Sequence, residues 1–120
     1  MNASDGQGGS ECLFCQIAAG GMAADIVHRT DTVVAFRDID PKAPTHVLVI
    51  PVEHYQNVSA LAGAGGDLLV DMAQVATAVG EAESPAGWRW VFNSGLAAGQ
   101  SVFHVHGHVL GGRELAWPPG

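Results

Sequence analysis

Gly99-Gln100-Ser101-Val102-Phe103-His104-Val105-His106-Gly107-His108-Val109-Leu110 decides how the rest of the chain is read. In a β-strand successive side chains point to opposite faces, which puts His104, His106 and His108 on one wall and Phe103, Val105, Gly107 and Val109 on the other. Same-face neighbours on a strand lie about 6 to 7 Å apart, so three imidazoles can surround one anionic group or orient one another. Upstream, Gly99-Gln100-Ser101 supplies a flexible turn, a side-chain amide and a hydroxyl, and backbone N–H groups approach an oxyanion closely where glycine permits it. A single His is more often packed or solvated than catalytic, and alternating His also builds metal sites, so metal binding is the rival reading. The neighbours favour phosphate chemistry. A hydrolytic zinc site gives no reason for Gly-Gln-Ser, whereas covalent attack on phosphorus needs both a nucleophile and an anion cradle.

A chain of 120 residues makes one domain, and 48% hydrophobic against 14% charged residues is enough apolar matter for a core. The net charge of −7 with five Lys and Arg excludes the basic footprint that polymeric nucleic acid requires. A small nucleotide stays compatible, because amides, hydroxyls and imidazoles hold one phosphate without a basic patch. No apolar run approaches the roughly 20 residues of a membrane span, and residues 1–10 have neither the basic start nor the apolar core of a signal peptide. Those ten small, polar residues read as a disordered tail before a single domain over 11–120, and a cytoplasmic location is expected. There is no internal repeat.

Ser10 is expected to cap a short N-terminal helix in which Leu13, Phe14 and Ile17 share an apolar face, ending at Gly20-Gly21. Cys12-x-x-Cys15 within it fits half of a zinc site, two small buried residues or a redox pair; the last expects a preceding strand that is missing here. Ile26–His28 and Thr32–Phe36 read as a hairpin, with His28 a surface residue. Asp38 before the two-proline stretch Asp40–Pro44 suits either a sugar's hydroxyls or a local turn cap. His46–Ile50 is a central strand stopped by Pro51. Asn57 or Ser59 opens a loose segment, Asp67 is an N-cap, and Leu68, Met72, Val75 and Val79 form one stripe of a long helix covering the sheet. Trp88–Phe92 is a half-buried strand, and the loop Asn93–Gly99 leads to the histidines. The tail Arg113–Gly120 exposes a Trp whose natural use is a partner surface, unless the terminus is simply disordered.

Asn93-x-Gly95, Gly99-Gln100-Ser101-Val102 and His104-x-His106-x-His108-Val109 together resemble the histidine-triad (HIT) superfamily of nucleotide hydrolases and transferases, from about Cys12 to Gly120. Asp38-Ile39, Ala43-Pro44-Thr45-His46 and Trp117-Pro118-Pro119-Gly120 are similar to its Hint branch, the purine nucleoside phosphoramidases. The resemblance implies an α+β fold with a five-stranded antiparallel sheet, one long and one short N-terminal helix, and a homodimer through the long helix and a sheet edge. It makes His106 the nucleophile that attacks the α-phosphorus of a purine nucleoside phosphoramidate, forming a nucleotidyl-imidazole that water resolves to the monophosphate. By the same match His108 and Ser101 contact phosphate oxygens, with Gly99 and Gln100 in the anion cradle, while His46, Asn93 and His104 border the catalytic site. Leu13, Phe14, Ile17 and Ile39 match the base pocket and Asp38 the ribose site.

Two features depart from that branch. Cys12-x-x-Cys15 is similar to certain bacterial HIT proteins, and carried onto this chain their zinc ligands are Cys12, Cys15, His54 and His104. A closed Cys₂His₂ set makes the metal structural, required by no catalytic step, and takes His104 out of proton transfer. The second is Gly107, where relatives carry a larger residue; looser packing or a close neighbour behind it is expected. Alternatives within the chemistry are a dinucleoside polyphosphate hydrolase or a nucleotidyl transferase; outside it, a zinc-stabilised module that binds nucleotide without turnover.

Overall fold

The computed structural model describes residues 12–120, so the expected tail over residues 1–10 and the expected cap Ser10 lie outside the described residues. Three helices, α1 (Leu13–Ala18), α2 (Val58–Ala64) and α3 (Leu68–Glu83), accompany five strands: β1 (Ile26–Arg29), β2 (Val33–Arg37), β3 (Thr45–Pro51), β4 (Trp88–Phe92) and β5 (Gly107–Gly111). The strands form one antiparallel sheet in the order β1-β2-β3-β5-β4, confirming the α+β class and the strand count. Among the described residues, no helix is long and apolar enough to cross a membrane.

The continuous apolar run of β3 is explained by a sheet covered on both sides: all seven of its residues are buried. Alternation sorts them. Val47 and Val49, with Val33 and Ala35 of β2 and Val109 of β5, pack against Met72, Val75, Ala76 and Val79 of α3. Leu48 and Ile50, with Val34 and Phe36, pack on the opposite face against Cys12, Phe14 and Ile17. The long helix therefore backs the sheet and the short one covers its front, where His46 and His108 share the face of Leu48 because Leu48 pairs with His108.

Three expectations are corrected. Helix α1 starts at Leu13 with Cys12 as its N-cap, the Cys12 Sγ accepting the Cys15 N–H at 3.3 Å. The segment after Asn57 is not loose: the Asn57 carboxamide oxygen accepts the Ala60 N–H at 2.9 Å and starts α2, which buries Leu61. The histidine stretch is not one strand. β5 begins only at Gly107, because the Val105 N–H donates to the Tyr55 carbonyl at 2.7 Å instead of to a sheet neighbour. Asp67 does hold the N-cap position of α3, without a side-chain capping bond.

Gly107 has the close neighbour its position suggested, since a Cβ there would overlap Nε1 of Trp90 and reach 2.9 Å from Cζ of Phe92. The tail folds back on β4: Arg89 donates to the carbonyls of Leu115 and Ala116 at 3.2 and 2.6 Å and sits 5.7 Å from the centre of the Trp117 ring. Gly80 of α3 meets Trp88 face-on, and a Cβ there would overlap the indole. Alanine favours a helix over glycine by about 1 kcal/mol, but overpacking costs about 1 to 3 kcal/mol. Gly80→Ala should therefore lower stability by up to about 2 kcal/mol, read as a lower urea midpoint at unchanged slope.

Candidate active site and donor cluster

A cavity of about 650 Å³ opens on the front of the sheet between α1, the end of β2 and the histidine segment. Of the residues picked out by sequence, Leu13, Phe14, Ile17, Asp38, Ile39, Ser101, His106 and His108 line it. Leu13 and Ile39 are exposed apolar side chains at its mouth, Ile39 fully so, as a slot for a flat apolar ring system would present them. Asn93, Gly99 and Gln100 are not among the lining residues. The Gln100 amide is spent inside the loop. Its nitrogen donates to the carbonyls of Gln56 and Val102 at 2.8 and 3.1 Å, and its oxygen accepts the Gly95 N–H at 2.9 Å. It shapes the turn and has no donor left for an anion. Gly99 closes a 3-10 turn over Leu96–Ala98 with a positive φ of 95°, a conformation glycine adopts freely.

Sequence reasoning missed Met22, Ala23, Ala24, Asp25, Phe36, Arg37, Leu48 and Val102, which complete the wall. Phe36 and Leu48 were within reach from strand parity alone. The Met22–Asp25 loop carries no signal. One Asp38 oxygen accepts the Asp40 N–H at 2.8 Å, as a turn cap does, and the residue also lines the cavity.

Hydrogen-bond polarity fixes which nitrogen of each imidazole carries the proton. A carbonyl can only accept, so the 2.8 Å contact between His106 Nδ1 and the His104 carbonyl makes Nδ1 the protonated atom. Nε2 of His106 is then the lone-pair atom of a neutral ring. Burial, the largest influence, pushes the His106 pKa below the ordinary histidine value and so favours that neutral form. Phe14 meets this ring edge-on with centroids 5.0 Å apart, fixing its plane.

Behind it runs a relay. The Lys42 N–H donates to His46 Nδ1 at 3.0 Å, so the proton of neutral His46 is on Nε2, 2.9 Å from Nδ1 of His108 and 3.4 Å from the Asp38 carboxylate. His108 thus accepts at Nδ1 and carries its proton on Nε2, an atom buried without a hydrogen-bond partner in a residue that lines the cavity. Asp38, His46 and His108 are close enough to hold a cation. The Lys42 donor argues against it, because a metal on His46 Nε2 would require an imidazolate.

His104 lies elsewhere. Its Nε2–H donates to the Pro51 carbonyl at 2.9 Å, which leaves the Nδ1 lone pair facing Cys12 Sγ at 3.3 Å, Cys15 Sγ at 3.4 Å and His54 Nδ1 at 3.1 Å. Cys15 Sγ is also 3.4 Å from His54 Nδ1. Four soft or borderline donors within 4.8 Å of one another could hold a metal ion. Metal–donor bonds of about 2.0 to 2.3 Å in a tetrahedron imply donor–donor edges of roughly 3.3 to 3.8 Å, close to those found. The second-sphere carbonyl on His104 supplies the orientation such ligands need.

A family model described as the HIT domain matches residues 20–115. An uncharacterized HIT-like protein of Synechococcus elongatus is 42% identical over 114 residues, spanning 92% of this chain and 97% of its own. The crystal structure of a HIT family hydrolase from Legionella pneumophila superposes with a TM-score of 0.86 at 42% identity, over 91% of this chain and 99% of that one. A histidine triad protein from Clostridium difficile gives a TM-score of 0.84 at 32% identity, over 91% and 96%.

Burial also pushes the His108 pKa down to about 4, with His106 and His46 adding to the effect and Asp38 opposing it. A depressed histidine is neutral in the fold and takes up a proton on unfolding below about 6.5. Its contribution is fully present above that value and is lost as pH falls towards 4. The urea midpoint should therefore drop between pH 7.5 and pH 5, and the drop should shrink in His108→Asn.

Proposed function

Because the chain belongs to the HIT domain family, we propose that it is a nucleotide hydrolase that cleaves purine nucleoside phosphoramidates through a nucleotidyl intermediate on His106. The observation that carries this reading is the bond from His106 Nδ1–H to the His104 carbonyl, which leaves a neutral ring with its lone pair on Nε2 in a residue of the cavity wall. Nε2 attacks the α-phosphorus, the N–P bond to imidazole forms, and the phosphoramidate nitrogen departs as an amine after taking up a proton from solvent, which the water of the second step gives back. Water then attacks the same phosphorus, and the imidazole leaves to release the nucleoside monophosphate.

The other residues divide the remaining work. The unpartnered Nε2–H of His108 donates to a phosphoryl oxygen, its orientation set by His46 and, through His46, by the Lys42 N–H. A preorganised donor of this kind acts most strongly as charge develops on the oxygens. The Ser101 hydroxyl is a second donor in the wall. Leu13, Phe14, Ile17 and Ile39 take the purine, and the Asp38 carboxylate takes the ribose hydroxyls. His104 bonds to Pro51 and the thiols, so it orients His106 through its carbonyl and transfers no proton.

Cys12, Cys15, His54 and His104 would hold zinc, which in a closed four-donor site supplies structural cross-linking and no open position for substrate. Bound there, it ties α1 to the β3–α2 connection and to the histidine segment. A homodimer and a cytoplasmic location belong to the same reading; the edge position of β4 in the sheet and Val70, exposed on α3, support the dimer.

His106→Gly should abolish turnover of adenosine phosphoramidate, by at least about 10³-fold, while AMP binding changes less than about threefold, since it removes the nucleophile and not the base pocket. Turnover retained in that variant overturns the assignment. Comparing adenosine phosphoramidate with diadenosine polyphosphates then fixes the leaving group. Purified reducing preparations should contain one zinc per chain, lost in Cys12→Ser/Cys15→Ser.

A further inference from the structure

Helix α1 has two working sides. Cys12 and Cys15 face the donor cluster, while Leu13, Phe14 and Ile17 wall the cavity. Two contacts join the sides. The Phe14 ring stands edge-on to both His106 and His104, with centroids 5.0 and 6.1 Å apart. His104 gives its Nδ1 to the cluster and its carbonyl to Nδ1 of His106. Nothing in hydrolysis requires thiols one residue away from the aromatic that fixes the nucleophile's plane.

We propose that Cys12 and Cys15 are a reversible redox switch: oxidation by hydrogen peroxide joins them as a disulfide, opens the donor cluster and slows transfer to His106. The proposal rests on the reading of His106 as nucleophile. Cys15 is partly exposed and Cys12 fully buried, so Cys15 is the thiolate a peroxide meets first. Its sulfur attacks one peroxide oxygen, the O–O bond breaks, and a sulfenic acid and hydroxide result. Cys12 Sγ attacks that sulfur, the S–S bond forms and a second hydroxide leaves. Two protons make two waters, so two electrons pass from the thiolates to the peroxide and any bound metal ion keeps its charge.

Both sulfurs lie within 3.4 Å of the same His104 nitrogen. Closing them to an S–S bond of about 2.05 Å withdraws them from that shared position. His54 and His104 then face each other as two donors, too few to hold a tetrahedral ion. The segment that carries His104 loses its tether to α1, and the backbone carbonyl that fixes the His106 tautomer shifts with it.

The test uses the full chain, reduced and zinc-loaded, treated with hydrogen peroxide. These are the only two cysteines in the sequence, so a loss of two hydrogens in the intact mass reports this disulfide alone. Expected are disulfide formation with parallel zinc release to a chromogenic chelator, and a fall in kcat of roughly tenfold with a smaller change in KM. The ¹⁵N shifts of His106 should move from a pure Nδ1–H tautomer towards a mixture. Dithiothreitol with zinc should reverse all four readouts; methionine oxidation would not be reversed by it. The proposal is overturned if the disulfide-bonded, zinc-free protein turns over at the reduced rate with an unchanged His106 tautomer. It is equally overturned if thiols and zinc survive peroxide that oxidises a free Cys-x-x-Cys peptide. Absence of turnover in the reduced, loaded protein defeats the hydrolase reading by itself, and the tautomer shift still decides whether the thiols control the ring.

Discussion

The hydrogen bond from the His106 ring to the carbonyl two residues earlier is the constraint on which the rest of the site depends. A carbonyl in a regular ladder points at the neighbouring strand and is unavailable to a side chain on its own strand. The segment before Gly107 therefore has to leave the sheet, and it does so by sending the Val105 N–H to Tyr55. The same departure drops the His104 ring among the thiols and turns its carbonyl toward His106. One irregularity of a few residues thus sets the direction of two imidazoles, and β5 resumes in time for His108 to keep the face it shares with His46.

Two histidine-rich clusters sit side by side, and what touches the far nitrogen separates them. His104 meets an acceptor at Nε2, so its other nitrogen offers a lone pair and suits a cation. His46 meets a donor at Nδ1, so its other nitrogen offers a proton and suits a relay. Burial acts on both in the same direction by disfavouring the charged rings. Composition alone would treat Asp38-His46-His108 and Cys12-Cys15-His54-His104 as equivalent metal candidates, and one backbone N–H distinguishes them.

Much of this was legible beforehand because it follows from periodicity. The central strand, the α3 stripe and the hairpin are set by apolar spacing, which tertiary packing only reinforces. The alternation survives in part: His106 and His108 stay on the cavity side and Val105 and Val109 on the core side, while the bend over 102–104 carries the His104 ring away to the thiols. What escaped was set by hydrogen bonds between distant residues. Gln100 looked like an anion donor because its type fits the task, yet Gln56, from a loop far away in sequence, takes its amide. The helix after Asn57 was hidden because Val58, Ser59 and Gly63, of low helix preference, interrupt its alanines and leave no apolar stripe, and an N-cap with one buried leucine outweighs them. The Met22–Asp25 wall has no pattern at all, being brought to the cavity only by the return of the chain from α1 to β1.

Gly107 also has a second face. The Nε1 and Cε2 atoms of the Trp90 indole lie against it, with Nε1 left without a hydrogen-bond partner and Phe92 packed at 4.7 Å between ring centres. The backbone that carries His106 and His108 on its front thus rests on an aromatic pair at its back, with no side chain of Gly107 between them. Any ångström-scale shift of that backbone changes the surroundings of the indole directly, so the molecule contains its own optical gauge of whether the reactive ring is seated.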